Sequence, residues 1–419
     1  MLNRVWVTMK YYNAKILCGL LSGLLLSACN SSNEQGAFPY NLPPEKPNRN
    51  LSAAVERVYD NYRTPLQDDN ELYSQFKYTE LKGFDYNDCD GTITRRDPSK
   101  VIRYNGKYYV WYTHRDTETA PIRTEKTQPN IPSRDWDLAE IWYATSNDGF
   151  TWEEQGVAVP IPNGIRAVST TDILIWKGKY YLYYQAFPDN GDGLVNDCYV
   201  TVSYADSPDG PWMPAGGVVV QNGAEGEWDS KTLHDPNPLV HNGKIYLYYK
   251  SDFDDTIEHF IKMAGLAIAN DPLGPFEKHP LNPVLNSGHE VSLFPYEEGI
   301  AALVIRDGHE HFTVQYAPDG VNFEIETITE LMPISAGSYI PDAFTDTKDG
   351  RGITWGICHV NHASKVKGAQ NSILMRFDCD LSRDLHDPQM KISRYLYKPE
   401  FYYQHGLTPR QRERIQQNN

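Results

Sequence analysis

Acidic residues recur in the sequence directly ahead of aromatic, strand-forming segments, and carboxylates in such places could perform acid–base chemistry. Asp97, Asp172 and Asp235 each precede a Gly-Lys turn that opens such a segment, and Glu290 and Asp342 occupy comparable places less clearly. Hydrolysis of a glycosidic bond needs one group to protonate the leaving oxygen and another to activate water or to attack. Carboxylates drawn together in a water-poor funnel push each other's pKa values apart and can supply both groups. Metal binding is the competing use of such a cluster, and turn capping is the simplest use of any single member.

Two further segments concentrate titratable side chains. Residues 249–255 (Tyr-Lys-Ser-Asp-Phe-Asp-Asp) end an aromatic strand, and residues 306–311 (Arg-Asp-Gly-His-Glu-His) have the composition of a turn. His309 could titrate near neutrality and act as a general acid, whereas a hairpin turn with solvated charges is the simpler interpretation of its segment. Residues 358–362 (Cys-His-Val-Asn-His) are a weaker candidate for ligands or for supporting contacts.

A repeated β-architecture must position these residues. Strand, Gly-Lys turn and aromatic strand recur at Gly106, Gly178 and Gly243, and each copy is followed by an alternating strand and Asp/Pro/Gly punctuation. Units of about 50–75 residues with four strands each, roughly five of them between Gly83 and Tyr397, predict an all-β fold, a five-bladed β-propeller. Because blades pack around a central axis, the acidic residues at the starts of the innermost strands should converge at one end of the channel.

The composition is that of a large globular protein and argues against some classes of partner. The 419 residues are 40% hydrophobic and 12% aromatic, with 29 Tyr, which favours β-structure and sugar-like ligands. The net charge is -16 and no long run of Lys or Arg occurs, which argues against a nucleic-acid partner. No apolar run of about 18 residues lies beyond the N-terminal region, so no internal transmembrane helix is predicted. The cysteines after Cys29 match no zinc spacing and are expected to be free thiols.

The N-terminal region has the features of an export signal. Basic residues precede an apolar stretch, and Leu26-Ser-Ala-Cys29 resembles the cleavage site of a bacterial lipoprotein. We therefore expect a signal peptide at 1–28, lipidation of Cys29, a Ser/Asn/Pro-rich tether at 29–50 and a polar tail at 404–419. The protein would be a membrane-anchored lipoprotein facing the periplasm or the cell surface. An ordinary signal peptide with an incidental cysteine is the alternative.

Several motifs resemble one group of glycosidases. Residues 95–98 (Arg-Arg-Asp-Pro) and 234–236 (His-Asp-Pro) look like the five-bladed group that includes glycoside hydrolase family 43. The chain more closely resembles family 117, the exo-acting α-1,3-(3,6-anhydro)-L-galactosidases, from about Asn50 to Tyr403. The likeness includes residues 94–98, residues 248–252 and a Ser-x-Ala-x-x-Arg motif. That motif is present as Ser52, Ala54 and Arg57.

The resemblance implies an organisation for the chain. Hydrophobic residues at helical spacing predict a short amphipathic helix over 52–62. In family 117 the helical segment, here 51–82, is exchanged between subunits and builds a homodimer, and residues 83–403 would form the catalytic propeller.

The resemblance also implies roles for individual residues in an inverting mechanism. Asp97 would be the general base that activates water, and His309 the general acid. Asp252 and Glu310 would orient the sugar and tune the pair. Family 43 uses a Glu as the acid, which makes Glu310 the alternative proton donor, and Asp235 is the alternative to Asp252 for tuning. The remaining acidic residues expected to contact substrate are Asp172, Asp235 and Glu290. Some members have a divalent cation near the site, but no spacing in this sequence identifies its ligands.

The expected function is hydrolysis of the α-1,3 bond at the non-reducing end of neoagaro-oligosaccharides, with release of 3,6-anhydro-L-galactose. Two alternatives remain: a family 43-like arabinosidase or xylosidase, and a non-catalytic glycan-binding propeller. The second alternative would not need a proton donor, and the titratable cluster therefore favours an enzyme.

Overall fold

The computed structural model describes residues 45–60, 70–122, 128–189, 198–252, 263–287, 289–306, 310–329, 331–363 and 370–392. Helix α1 (Ala53–Tyr59) is the α-helix of this part, and the hydroxyl of Ser52 caps it by accepting the backbone N–H of Val55. The helix expected over 52–62 is therefore present with shorter bounds. The predicted signal peptide, Cys29 and the polar tail lie outside the described residues. In the part of the chain described, no helix is long and apolar enough to cross a membrane.

The described strands form antiparallel sheets that fall into five groups in chain order, after an initial strand β1 (Lys77–Glu80). Group 1 contains β2 (Ile93–Arg96), β3 (Ile102–Tyr104), β4 (Lys107–Asp116), β5 (Glu140–Ser146) and β6 (Trp152–Val159). Group 2 contains β7 (Ile165–Trp176), β8 (Lys179–Pro188), β9 (Tyr199–Ala205) and β10 (Met213–Pro214). Group 3 contains β11 (Thr232–His241), β12 (Lys244–Asp252), β13 (Met263–Ala269) and β14 (Glu277–Lys278). Group 4 contains β15 (Ser292–Glu297), β16 (Gly299–Val304), β17 (Thr313–Ala317) and β18 (Glu324–Ile328), and group 5 contains β19 (Ile334–Ser338), β20 (Gly350–Ala363) and β21 (Gln370–Ser382).

Two strand pairings reach beyond a single group. Groups 4 and 5 form one sheet because β15 pairs with β20 at Tyr296↔Arg351 and Glu297↔Gly350. Strand β1 pairs with β21 from Lys77↔Asp378 to Glu80↔Met375, so an early segment completes the last group. The segment 51–82, expected to be helical, therefore also contains a strand. The prediction of an all-β fold with a short N-terminal helix is confirmed.

The Gly-Lys hairpins have the turn type that their sequence demands. The loop pairs Asn105–Gly106, Lys177–Gly178 and Asn242–Gly243 all have φ between 47° and 83°. A two-residue loop with positive φ at both positions is a type I′ turn, whose twist matches that of the flanking strands. The lysine after each predicted turn glycine is the first residue of β4, β8 and β12.

The aromatic strands supply much of the core. Trp111 on β4, Tyr183 on β8, Tyr248 on β12 and Phe294 on β15 are at most 1% exposed. Each such ring removes a large apolar area from water, and these strands are covered on both faces where neighbouring groups pack together. The described cysteines are free thiols, as expected.

Candidate active site

Five residues with left-handed backbone conformation lie within or next to the first strand of each group, and all five line one cavity. These ring residues are Asp97 (φ 49°), Thr170 (φ 45°), Asp235 (φ 49°), Glu290 (φ 63°) and Ser335 (φ 52°). A positive φ costs a non-glycine residue on the order of 1 kcal/mol and persists where the surroundings impose it. The cavity volume of ≈ 30 Å³ is enough for about one or two water molecules.

Strand irregularities explain why these side chains leave the sheets. The pairing register shifts between Ser169 and Asp172 in group 2 and between His234 and Asn237 in group 3. In group 1, Asp97 lies in the break between β2 and β3, which both pair with β4. A bulge inserts an extra residue and redirects its neighbours, a common arrangement next to functional sites.

One expected member of the cluster is placed elsewhere. Asp342 does not line the cavity; it is half-buried and accepts a hydrogen bond from Nε of Arg351 over 3.2 Å. Ser335, which lies seven positions earlier, takes the ring position in group 5. The expectation of an acidic residue at this position is therefore wrong. Asp172 lies just beyond the ring position Thr170 but also lines the cavity.

Asp97 is held as a carboxylate by its neighbours. Arg96 donates from Nε to Oδ2 over 2.7 Å and from Nη2 to Oδ1 over 3.2 Å, and the Thr170 hydroxyl donates to Oδ2 over 3.2 Å. Burial on its own raises the pKa of a carboxyl, but the charge of Arg96 and the hydrogen bonds from Arg96 and Thr170 outweigh it and lower the pKa of Asp97 to about 2. Asp97 is therefore ionised at neutral pH and able to accept a proton from water.

His359, on β20, supports Asp97 from the backbone side. The backbone N–H of Asp97 donates to Nδ1 of His359 over 3.2 Å. A neutral imidazole has one donor and one acceptor nitrogen, so the proton of His359 is on Nε2. Burial and the nearby Arg96 charge lower the pKa of His359 to about 3, which keeps the ring neutral. Nε2 lies 4.0 Å from Oε1 of Glu290.

Glu290 is buried, and neither of its carboxylate oxygens receives a hydrogen bond from the described residues. Nε2 of His289 lies 3.7 Å and Nη1 of Arg306 lies 3.9 Å from Oε1. Burial, followed by the charge of Asp97, raises the pKa of Glu290 to about 7. Environments that push two neighbouring carboxyl pKa values apart mark one group that holds a proton and one that accepts it.

Two buried ion pairs complete the polar lining of the cavity. Lys100 pairs with Asp172, to which its backbone N–H also donates over 2.8 Å, and its ammonium donates to Oδ1 of Asn237 over 2.9 Å. Lys250 lies 3.1 Å from Oδ2 of Asp235. Burial raises the pKa of Asp235, but the charge of Lys250 outweighs it and lowers that pKa overall. Both carboxylates are thus neutralised locally, and Asp97 and Glu290 remain as the unequal pair.

Sequence reasoning missed Lys100 and Thr170. Lys100 is 2% exposed and directly precedes the buried residue Val101. A lysine next to an apolar strand is a signal that could have identified it, because a buried lysine needs a partner of opposite charge. Thr170 lies in a Ser-Thr-Thr run that carries no comparable signal.

Among the described residues, the trio that could hold a divalent cation is Asp97, Glu290 and His359, since their potential ligand atoms lie within 4.8 Å of one another. A metal needs free lone pairs. Nδ1 of His359 already accepts a backbone N–H, Nε2 carries the proton, and both oxygens of Asp97 accept from Arg96. Glu290 and Oδ1 of Asp97 retain lone pairs, but His359 has neither nitrogen available, so the imidazole cannot complete the trio. As arranged, this trio does not fit a cation.

Glu310 does not line the cavity but is bound to helix α1. Arg57 donates from Nε to Oε1 over 3.0 Å and from Nη2 to Oε2 over 2.9 Å, and Gln315 donates to Oε2 over 3.1 Å. Glu310 therefore acts as an acceptor in this arrangement. Its neighbour His309 lies outside the described residues, and Asp252 is described as the end of β12 but not at its side chain.

The other two residues of the Ser-x-Ala-x-x-Arg motif also have packing roles. The Ser52 hydroxyl donates to the carbonyl of Pro283, and Ala54 is fully buried. Within one chain the motif thus fixes helix α1 against group 4 and the segment that precedes it. Exchange of this helix between subunits stays a prediction.

Comparison with solved structures gives a strong likeness. The structure is similar to Zg3597, a family 117 glycoside hydrolase produced by the marine bacterium Zobellia galactanivorans, with a TM-score of 0.74 and 56% sequence identity over 80% of this chain and 99% of that chain. A more distant likeness is to a thermostable family-43 glycoside hydrolase, with a TM-score of 0.46 and 14% identity over 72% of this chain and 92% of that chain. Another is to the α-L-arabinofuranosidase PaAbf62A from Podospora anserina, with a TM-score of 0.48 and 15% identity over 74% of this chain and 97% of that chain. No protein-family model and no curated protein matches the chain.

Proposed function

The chain belongs to glycoside hydrolase family 117, and on this premise we propose that it cleaves the α-1,3 bond at the non-reducing end of neoagaro-oligosaccharides and releases 3,6-anhydro-L-galactose. That it is a glycosidase follows from its family. The substrate, the exo action and the inverting mechanism are the proposal. The observation that carries it is Asp97, an anion fixed by Arg96 and Thr170 beside a cavity of ≈ 30 Å³.

The geometry supports a base that acts on water. A space for about one or two waters beside a fixed carboxylate suits activation of a single water molecule. An inverting enzyme separates its two catalytic carboxyl-type groups by about 6.5–9.5 Å to admit that water. Glu290, with an oxygen within 4.8 Å of an Asp97 oxygen, is too close to act as the opposing acid.

The proton donor is proposed to be His309. Glu310, the alternative, has both oxygens engaged by Arg57 and Gln315 and does not line the cavity. Asp235 lines the cavity and can shift the pKa of Asp97 electrostatically. The family resemblance assigns that role to Asp252. Asp172, Asp235 and Glu290 are proposed to face the bound sugar.

Incubation with neoagarobiose tests the proposal. Time-resolved NMR should show 3,6-anhydro-L-galactose and galactose, with the first-formed anomer opposite to that of the bond cleaved. The first-formed anomer matching the bond would contradict inversion. Release of nitrophenol from arabinosides or xylosides, with neoagarobiose untouched, would instead establish the family 43-like alternative. Tight binding of neoagarobiose without any product would establish the glycan-binding alternative.

We also propose that the protein is exported, is anchored through a lipid on Cys29 and forms a homodimer through the segment that contains Ser52, Ala54 and Arg57. Replacement of Cys29 by Ala should move the protein from the membrane fraction to the soluble fraction. Sizing of a soluble chain from Ser31 onwards, with and without residues 52–62, should show a dimer that depends on that segment. A monomer in both cases would contradict the dimer.

A further inference from the structure

In three ring residues the backbone N–H donates a hydrogen bond to a side chain of a neighbouring group. The N–H of Thr170 in group 2 donates to Oγ1 of Thr113 in group 1 over 2.8 Å. The N–H of Asp97 in group 1 donates to Nδ1 of His359 in group 5 over 3.2 Å. In group 3, Asp235 donates in the same way over 3.3 Å, to Oε1 of Gln185 in group 2. Because a left-handed residue is drawn out of its strand ladder, its N–H needs another acceptor when it is buried.

The hydrogen bond from Asp97 differs from the other two because its acceptor is an imidazole, in which the role of one nitrogen determines the role of the other. Accepting at Nδ1 leaves the proton on Nε2, and that N–H faces Glu290 at 4.0 Å. His359 is 0% exposed, so no bulk water competes for either nitrogen. Its ring therefore fixes the position of one carboxyl-bearing residue through the backbone, while Nε2 lies towards the other, beyond hydrogen-bond distance.

We infer that His359 is a positioning residue for Asp97: it acts in the neutral tautomer with the proton on Nε2, holds the left-handed backbone of the base, and is not a metal ligand. The role of Asp97 as base rests on the proposed function, whereas the tautomer and the absence of ligation do not. Without the acceptor, the Asp97 N–H would be buried and unpaired, and the backbone would relax towards an ordinary conformation. The carboxylate would then move relative to its water, a displacement to which turnover is sensitive.

Three variants separate this role from general packing. His359→Asn places an amide oxygen near the position of Nδ1, His359→Gln places its polar group near Nε2, and His359→Leu removes the acceptor. We expect His359→Leu and His359→Gln to lower kcat on neoagarobiose by at least about tenfold, the effect of one hydrogen bond lost in the transition state, with KM changed less. His359→Asn should recover most of that loss. Equal losses in the Asn and Gln variants would overturn the inference.

Nitrogen-15 NMR of the full chain labelled at histidine tests the tautomer without any substrate. We expect a resonance, absent in His359→Asn, with the chemical shifts of an Nε2-protonated neutral ring, unchanged on addition of Mg²⁺, Ca²⁺ or Zn²⁺. A ring protonated on Nδ1, or a resonance that moves with cation, would overturn the inference. If neoagarobiose is not cleaved at all, the proposed substrate fails while this measurement still decides the state of His359.

Discussion

Arg57 and Glu310, 253 residues apart in the chain, form a two-point ion pair that is almost fully buried. The pair fastens helix α1 to the strands of group 4, and Nη1 of Arg57 also donates to the carbonyl of Phe323 over 2.6 Å. A charge left alone in such a place is costly, because the fold has removed it from water.

Arg57→Ala should therefore lower the free energy of unfolding by about 3–5 kcal/mol, as measured by urea denaturation. Arg57→Lys should lose less, since it keeps the charge but not the paired donors. Glu56→Gln, on the same helix but partly exposed, is the control and should change stability by roughly 0.5 kcal/mol or less. A loss in Arg57→Ala no larger than in this control would contradict the structural role of the pair.

Asp97→Asn should lower kcat/KM on neoagarobiose by at least about a hundredfold, the lower end of the effect of removing a general base. The amide can still accept from Arg96 but cannot take a proton from water. Asp342→Asn is the matched control, because Asp342 lies away from the cavity, and it should keep normal activity. Wild-type turnover by Asp97→Asn would remove Asp97 from the mechanism.

The hairpins and the aromatic core could be predicted from sequence because both depend on local patterns. Asn-Gly and Lys-Gly turns require positive φ, and the Tyr-rich runs after them alternate with the period of a strand. The convergence of Asp97 and Asp235 could be expected from the same repeat, since equivalent positions in repeated units occupy equivalent places. Asp172 lies two positions beyond the equivalent residue Thr170 and still lines the cavity.

The fifth ring position and the partners of the acids could not be predicted. Ser335 occupies that position because of a bulge in β19, between Ile334 and Gly337, and no residue type in that strand marks the bulge. The contacts Lys100–Asp172 and Asp97–His359 join residues 72 and 262 positions apart. Such pairs are set by packing of one group against another, which a single sequence does not encode locally.

Asp172→Asn should destabilise the protein by about 3–5 kcal/mol, because it leaves the ammonium of Lys100 buried without its counter-ion. The double variant Lys100→Met with Asp172→Asn removes both charges and should recover much of this loss in urea denaturation. If the double variant were less stable than Asp172→Asn alone, the cost would come from the loss of side-chain packing and not from the unpaired charge.

The pH dependence of stability should carry the signature of Glu290. Burial and Asp97 raise its pKa from 4.5 to about 7 in the folded protein, so the folded state binds the proton more tightly than the unfolded state. The stability that this provides is complete below pH 4.5 and is lost as pH rises through 7, a change of roughly 3 kcal/mol at most. Burial lowers the pKa of His359, which has the opposite effect: its contribution to stability is lost as pH falls below the unfolded value of 6.5.

Replacement of Glu290 by Gln isolates the first contribution, because Gln resembles the protonated acid and does not titrate. Urea denaturation of wild type and Glu290→Gln should show that the variant gains stability relative to wild type as pH rises from 5 to 8, while Asp342→Asn follows wild type. The sign is diagnostic: a carboxyl held as an anion by Arg306 or His289 would already be ionised at pH 5 in both the folded and the unfolded state, and the variant would show no such gain. A constant difference between the two proteins across this range would mean that Glu290 does not change its charge within it.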